Sequence, residues 1–300
     1  MKKYLILIGI LTLTLILMFI NSSSVLLNAK ESITILLNSF LPSLFPYMVI
    51  ITLINELGGL LILGYLLQYI FKPIFNVNAK ESSLIIAGII SGYPLPSLLL
   101  SKQNCITRKE QSIISIFVFP SFAFLLSHIF PNIGDKSIYL LITFILGAFI
   151  LFFVINYNDK EKVEYMKFST LTNELKIKYN NIRLSKLVRS VFINSSLNMI
   201  IISSNIIIFS LFSLIFPQNK AIWTFFQGLL DFSRASVKLS QNGSILSYIA
   251  LIFVLLFGGV SIFMQNSALL AGTNFSLKKY IFYRLELIVI VILLNLLIFF

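Results

Sequence analysis

Almost the whole chain is built of apolar runs separated by short polar joints, and several of those runs reach the length of a lipid bilayer. A hydrocarbon core about 30 Å thick is crossed by roughly 20 helical residues. The runs Tyr4 to Ile20, Ile33 to Ile54, Leu57 to Phe75, Leu84 to Leu100, Gln111 to Phe130 and Ser137 to Ile155 read as six crossings. After them come Val191 to Phe216, Ile245 to Leu270 and Tyr283 to Phe300. Hydrophobic residues make up 58% and charged residues 11%, whereas globular chains carry about 45–50% and about 25%. The fold class expected is therefore all-α, a polytopic helical membrane protein.

A net charge of +12 and an isoelectric point near 9.7 would suggest nucleic acid in a soluble chain. Here the basic residues fall between the apolar runs, where they report cytoplasmic loops and anionic lipid, so no nucleic-acid partner is expected. The lone cysteine, Cys105, excludes an intramolecular disulfide, and the lone histidine, His128, leaves no Cys/His metal cluster. No metal and no cofactor are expected. A Ser/His/Asp set, an HExxH helix and a GxxxxGK[ST] loop are all missing, so the chain reads as no enzyme.

Charge divides the chain. Residues 1–32 read as a signal-anchor helix and loop behind Lys2 and Lys3, 33–155 as a first membrane half, 156–190 as a basic cytoplasmic loop, and 191–300 as a second half. The loop carries Lys160, Lys162, Lys167, Lys176, Lys178, Arg183, Lys186 and Arg189, and its sign places it inside. Ile222 to Asp231 is too short to span at about 1.5 Å per residue, and reads as a re-entrant hairpin or interfacial turn. Lys278, Lys279 and Arg284 then lie inside.

The halves echo each other. Leu37-Asn38-Ser39-Phe40-Leu41 matches Ile193-Asn194-Ser195-Ser196-Leu197, and each leads to a glycine-interrupted segment, Gly88 to Pro96 and Phe257 to Asn266. Their exits, Thr107-Arg108-Lys109 and Ser276-Leu277-Lys278-Lys279, read as capped helix starts. Two repeat-like halves with Gly/Pro-broken helices are expected, inverted or parallel according to where Ile222 to Asp231 lies.

Lipid tolerates freed backbone only where it is buried or lines a polar cavity. Gly92, Pro94 and Pro96 predict a break at mid-membrane, with Ser91 and Tyr93 adding hydroxyls and Pro94 shaping the backbone. In the second half Gly258 and Gly259 precede Ser261, Gln265 and Asn266 inside an apolar span. These nine residues, Ser91 to Pro94 and Gly258, Gly259, Ser261, Gln265 and Asn266, are the candidate solute contacts. Asp231 is a candidate coupling residue, with Arg234 at a spacing that permits a helical ion pair.

Leu41-Pro42-Ser43-Leu44-Phe45-Pro46-Tyr47, Ser91-Gly92-Tyr93-Pro94 and Gly258-Gly259-Val260-Ser261 with Gln265 resemble the YlbJ-like sporulation integral membrane proteins of the nucleoside-recognition, or Gate, domain group. The similarity runs from about Leu36 to Leu285. It implies a Gate-like segment in the first half, a cell membrane or outer forespore membrane of a spore-former, and a part in moving dipicolinate. Where that family continues into Met-Gly-Ala-Lys, this chain has Leu95-Pro96-Ser97-Leu98, leaving Lys102 and Arg234 to face a carboxylate. The expectation is a sporulation-associated transporter of a small anionic solute, working by alternating access in a lipid bilayer. The alternatives are a nucleoside-type permease and a non-transporting scaffold for spore-envelope assembly. A homo-oligomer or a partner membrane protein is left open.

Overall fold

The computed structural model describes residues 2–101, 103–157, 163–180, 183–212 and 221–299. Every regular element among them is helical: α1 (Lys2–Ile20), α2 (Ser22–Ile35), α3 (Leu41–Glu56), α4 (Gly59–Phe75), α5 (Ala79–Ser91), α6 (Leu95–Leu100), α7 (Arg108–Ile116), α8 (Phe122–Ile133), α9 (Lys136–Asn156), α10 (Phe168–Asn180), α11 (Leu184–Phe212), α12 (Ala221–Leu230), α13 (Phe232–Ser240), α14 (Ile245–Phe257), α15 (Gly259–Leu269) and α16 (Leu277–Phe299). Four spans are long and apolar enough to cross a membrane: α9, α11, α14 with α15, and α16. Counting two sharply bent pairs, α1 with α2 and α3 with α4, raises this to six. The all-α, multi-pass architecture stands.

The local chemistry explains where helices begin. Asn78 and Glu81 exchange bonds in a capping box at the start of α5, with Glu81 N–H donating to Asn78 Oδ1 at 2.9 Å and Asn78 N–H donating to Glu81 Oε2 at 2.8 Å. Thr107 and Glu110 do the same for α7. Each box satisfies amide donors that a helix N-terminus leaves free. The two caps lie side by side, because the Lys109 ammonium donates to the Asn76 carbonyl at 2.8 Å.

That contact changes the reading of Leu84 to Leu100. The chain enters α5 beside the start of α7, turns at Gly92 to Pro94, and returns through α6 to the joint that opens α7. The segment is a re-entrant hairpin, hairpin 1, and not a crossing. From the same end α7 runs inward, breaks over Phe117 to Ser121, and continues as α8 to the opposite end, where Asn132 donates to Ser240 Oγ at 2.9 Å.

The second half repeats this upside down. Phe225 packs on Phe253 with ring centroids 5.2 Å apart, while Gly228 abuts Val254, so α12 runs inward alongside α14. The chain turns at Asp231 and α13 returns to the Asn132 end. This is hairpin 2, the re-entrant alternative for the short Ile222 to Asp231 run. α14 starts at that end, breaks at Gly258, and continues as α15 to the end where Asn274 and Ile106 exchange bonds of 2.7 and 3.0 Å. The halves are thus inverted. Hairpin 1 matches hairpin 2, α7–α8 matches α14–α15, and α9 matches α16.

This corrects the alignment of Gly88–Pro96 with Phe257–Asn266. The first is a hairpin tip and the second a broken span, and the equivalent of Gly258 is the break at Phe117 to Ser121. The core lies where these parts meet, around Phe117, Phe144, Phe152, Leu251, Leu255 and Leu287. α3 and α11 pack antiparallel beside it, through Phe45 on Phe192 and Val49 on Leu187 and Val191.

The end bearing both capping boxes also holds Lys80, Arg108, Lys278, Lys279 and α10. α10 is docked there, with Lys178 Nζ donating to the Asn55 carbonyl at 2.7 Å, Tyr179 Oη to the Leu57 carbonyl at 2.9 Å, and Lys80 facing Glu174 at 3.0 Å. This end carries the basic residues that the positive-inside rule expects on a cytoplasmic face.

Candidate functional site

Both hairpin tips stop beside the helix break of their own half. At tip 1, Tyr93 N–H donates to the Phe119 carbonyl at 3.2 Å. At tip 2, Ser261 Oγ donates to Asp231 Oδ1 at 3.0 Å. Asp231 also accepts from the backbone N–H of Ser233 at 3.2 Å and from its hydroxyl, which caps α13. Each break frees backbone groups; tip 1 supplies a donor to one of them, and tip 2 is tied to its break through side chains.

The approach is close enough to require glycine at two positions. Gly92 has φ +65°, and a Cβ there would stand 2.3 Å from the Phe119 carbonyl oxygen. Gly259 has φ +80°, and a Cβ there would stand 2.9 Å from the Leu230 carbonyl oxygen. Left-handed torsions and backbone-on-backbone contact are the two circumstances in which glycine has no substitute.

The tips meet each other across the middle. The Tyr93 ring lies 6.0 Å from that of Phe232, and Phe232 stands edge-on to Phe124 at 5.5 Å. Between them lies a narrow cleft whose lining includes Tyr93, Ser121, Asp231, Ser233, Ser261 and Gln265 among apolar walls. Tyr93 also lines an adjoining narrow space with Ser91, Pro94, Ser121 and Asn198. A concave, mostly apolar site with a few convergent polar groups is the general form of a small-molecule site.

The residues singled out in the sequence fall into three groups. Ser91, Tyr93, Pro94, Asp231, Ser261 and Gln265 line these spaces, although Ser91 Oγ donates to the Ala87 carbonyl. Gly92, Gly258 and Gly259 shape the backbone, and Gly258 leaves room for Tyr93 Oη, 3.0 Å from where its Cβ would be. Asn266 lies outside the cleft. Its side-chain carbonyl accepts from Ser97 Oγ at 2.7 Å and its amide donates to Tyr280 Oη at 2.9 Å, so it ties hairpin 1 to α15 and α16.

The helical ion pair of Asp231 with Arg234 does not form. Arg234 reaches Glu31 on α2 at 2.6 Å, with Asn28 and Ser32 at 3.4 Å. Glu31 is half exposed, so the pair is worth about 0–1 kcal/mol. Arg234 is therefore committed away from the cleft, and Lys102 lies outside the described residues, as do Lys160 and Lys162 of the basic loop.

The basic group at the centre is Arg284, read from the sequence as part of a cytoplasmic helix start. It is fully buried. Its guanidinium donates to the Leu256 carbonyl at 2.9 Å, to the Val118 carbonyl at 2.5 Å and to Tyr280 Oη at 3.1 Å. Val118 belongs to the first break and Leu256 to the last turn before the second, so one side chain clasps both. The guanidinium also lies over the rings of Tyr93 and Tyr280, at 5.1 and 5.2 Å. No carboxylate pairs with it among the described residues. The signal was present: an arginine seven residues inside the helix that opens at Leu277, with an apolar run to follow, is an intramembrane charge and a functional suspect by default.

No group of three or more His, Cys, Asp or Glu that could hold a metal occurs among the described residues. Comparison with known proteins gives no match to any family model, curated protein or solved structure.

Proposed function

We propose that the protein is a membrane transporter that carries a small, anionic solute by alternating access, with its solute site in the cleft between the two hairpin tips. The observation that carries this reading is the convergence of two oppositely entering hairpins and two helix breaks on one polar cleft. Inverted halves supply two equivalent ways of closing such a site, one towards each face of the bilayer. The anion comes from the family resemblance: Asp231 is the charged side chain that lines the cleft, and Arg284 lies behind Tyr93, held by neutral acceptors. The resemblance to the YlbJ-like proteins makes dipicolinate the first solute to try, and a spore-former's cell or outer forespore membrane the setting. A scaffold that uses residues 156–190 as its handle fits less well, since α10 is docked against α3, α4 and hairpin 1.

Flux into proteoliposomes tests the reading, with dipicolinate, nucleosides and simple dicarboxylates compared. Gln265 lines the cleft and makes no side-chain hydrogen bond among the described residues, so its amide is available to solute. Gln265→Leu is expected to abolish saturable flux while leaving membrane insertion and thermal stability unchanged. Equal flux in the variant removes Gln265 from the site, and no flux of any solute through inserted wild-type protein removes the transport reading.

Asp231 is the coupling candidate. Asparagine caps helices about as well as aspartate, so Asp231→Asn keeps the start of α13 while removing the charge. We expect the variant to lose gradient-driven uptake and to retain solute exchange. Gradient-driven uptake at the wild-type rate would exclude Asp231 from coupling.

A further inference from the structure

The central cleft continues towards the cytoplasmic end. Beyond the space around Ser91 and Asn198 lies a larger one, with about 810 Å³ of empty volume, between α3, α6 and α11. The three spaces share walls: Leu44, Tyr93, Ser121 and Ile202 border both inner ones, and Thr52, Leu95, Leu98 and Asn198 border both outer ones.

The antiparallel helices α3 and α11 carry the route in matched four-residue steps, the spacing of one helical face. On α3 the lining residues are Glu56, Thr52, Met48 and Leu44 from mouth to cleft, and on α11 they are Asn194, Asn198, Ile202 and Ile206. Polarity follows the same order. The outer positions are polar, the inner ones apolar, and polar groups return at the hairpin tips and helix breaks. Polar side chains in apolar spans face protein or a water-filled cavity, and Thr52, Asn55, Glu56, Asn194 and Asn198 all line this space.

Resting on the transport reading, we propose that solute passes between the cleft and the cytoplasm through this vestibule, and that Leu44, Met48 and Ile202 form an apolar collar separating it from the cleft. The mouth lies at Asn55 and Glu56, next to the docked end of α10. Apolar constrictions of this kind gate by excluding water.

Thiol labelling of the full-length protein tests the vestibule without knowledge of the solute. In a Cys105→Ser background, Asn194→Cys and Asn198→Cys are placed in oriented vesicles and exposed to a charged, membrane-impermeant maleimide from either side. Ile200→Cys, which points outward from the same helix at 60% exposure, serves as the lipid-facing control. Asn194→Cys and Asn198→Cys are expected to react on the order of tenfold faster than the control, from the cytoplasmic side only. Rates equal to that of Ile200→Cys, or equal rates from both sides, overturn the vestibule. The collar has its own test: Ile202→Trp should leave labelling at Asn194→Cys unchanged and reduce flux severalfold, and undiminished flux overturns it. If wild-type protein moves no solute at all, the transport reading falls and the labelling alone decides the vestibule.

Discussion

Gly92→Ala is expected to abolish flux and to lower the melting temperature of the purified protein sharply. At φ +65° and ψ −154° Gly92 occupies a region that is essentially closed to other residues, at a strain of about 1–3 kcal/mol for any side chain forced there. The added Cβ would also lie 2.3 Å from the Phe119 carbonyl oxygen and 2.6 Å from the Ser121 amide nitrogen. Both are backbone atoms of the first break, and moving them disturbs the bond that Tyr93 N–H donates to Phe119. Overpacking of this kind costs about a further 1–3 kcal/mol. Gly134→Ala is the control, since Gly134 has φ +58° with nothing within 4 Å of the place its Cβ would take. A melting temperature for Gly92→Ala equal to that of Gly134→Ala would mean that tip 1 does not press on the break.

The second large effect is at Arg284. Arg284→Met removes three hydrogen bonds and leaves the carbonyls of Leu256 and Val118 buried without this donor. An unsatisfied buried acceptor costs about 1–3 kcal/mol, so the loss should reach several kcal/mol. Removing the charge also relieves a desolvation cost, so a net loss measures the bonds over and above that relief. Arg284→Lys keeps the charge, but a compact ammonium lacks the planar fork that spans both breaks. Unfolding in mixed micelles should therefore rank wild type above Arg284→Lys and Arg284→Met lowest, with flux lost in both variants. An Arg284→Met protein as stable as wild type would contradict the clasp.

Much of the site was legible because its causes are local. Glycine and proline inside apolar runs marked the breaks at Gly92 and Gly258, and the shortness of Ile222 to Asp231 marked a segment that cannot span. The capping residues Thr107 and Ser276 lie where the sequence placed helix starts. What was hidden depends on contacts between distant segments. Leu84 to Leu100 has the composition of a crossing, and only its return to the joint that opens α7 shows that it re-enters. Sequence alone aligns the repeat out of register because its equivalent positions use different chemistry: Gly-Tyr-Pro turns tip 1, and Leu-Asp-Phe turns tip 2. Starting the last apolar run at Tyr283 groups Arg284 with Lys278 and Lys279; the helix opens at Leu277, which sets the arginine seven residues inside it. Its partners are two backbone carbonyls, which leave no mark in side-chain spacing.

The central claim is that two hairpins enter from opposite faces and meet at one site, and the sidedness of three positions tests it most directly. Cys105 is exposed in the joint after hairpin 1, Lys80 is exposed near the start of its first arm, and Asn242 is exposed after hairpin 2. With Lys80→Cys and Asn242→Cys each made in a Cys105→Ser background, an impermeant thiol reagent should label Lys80→Cys and native Cys105 from the same face, and Asn242→Cys from the other. Labelling of Lys80→Cys and Cys105 from opposite faces would make hairpin 1 an ordinary crossing and contradict the account.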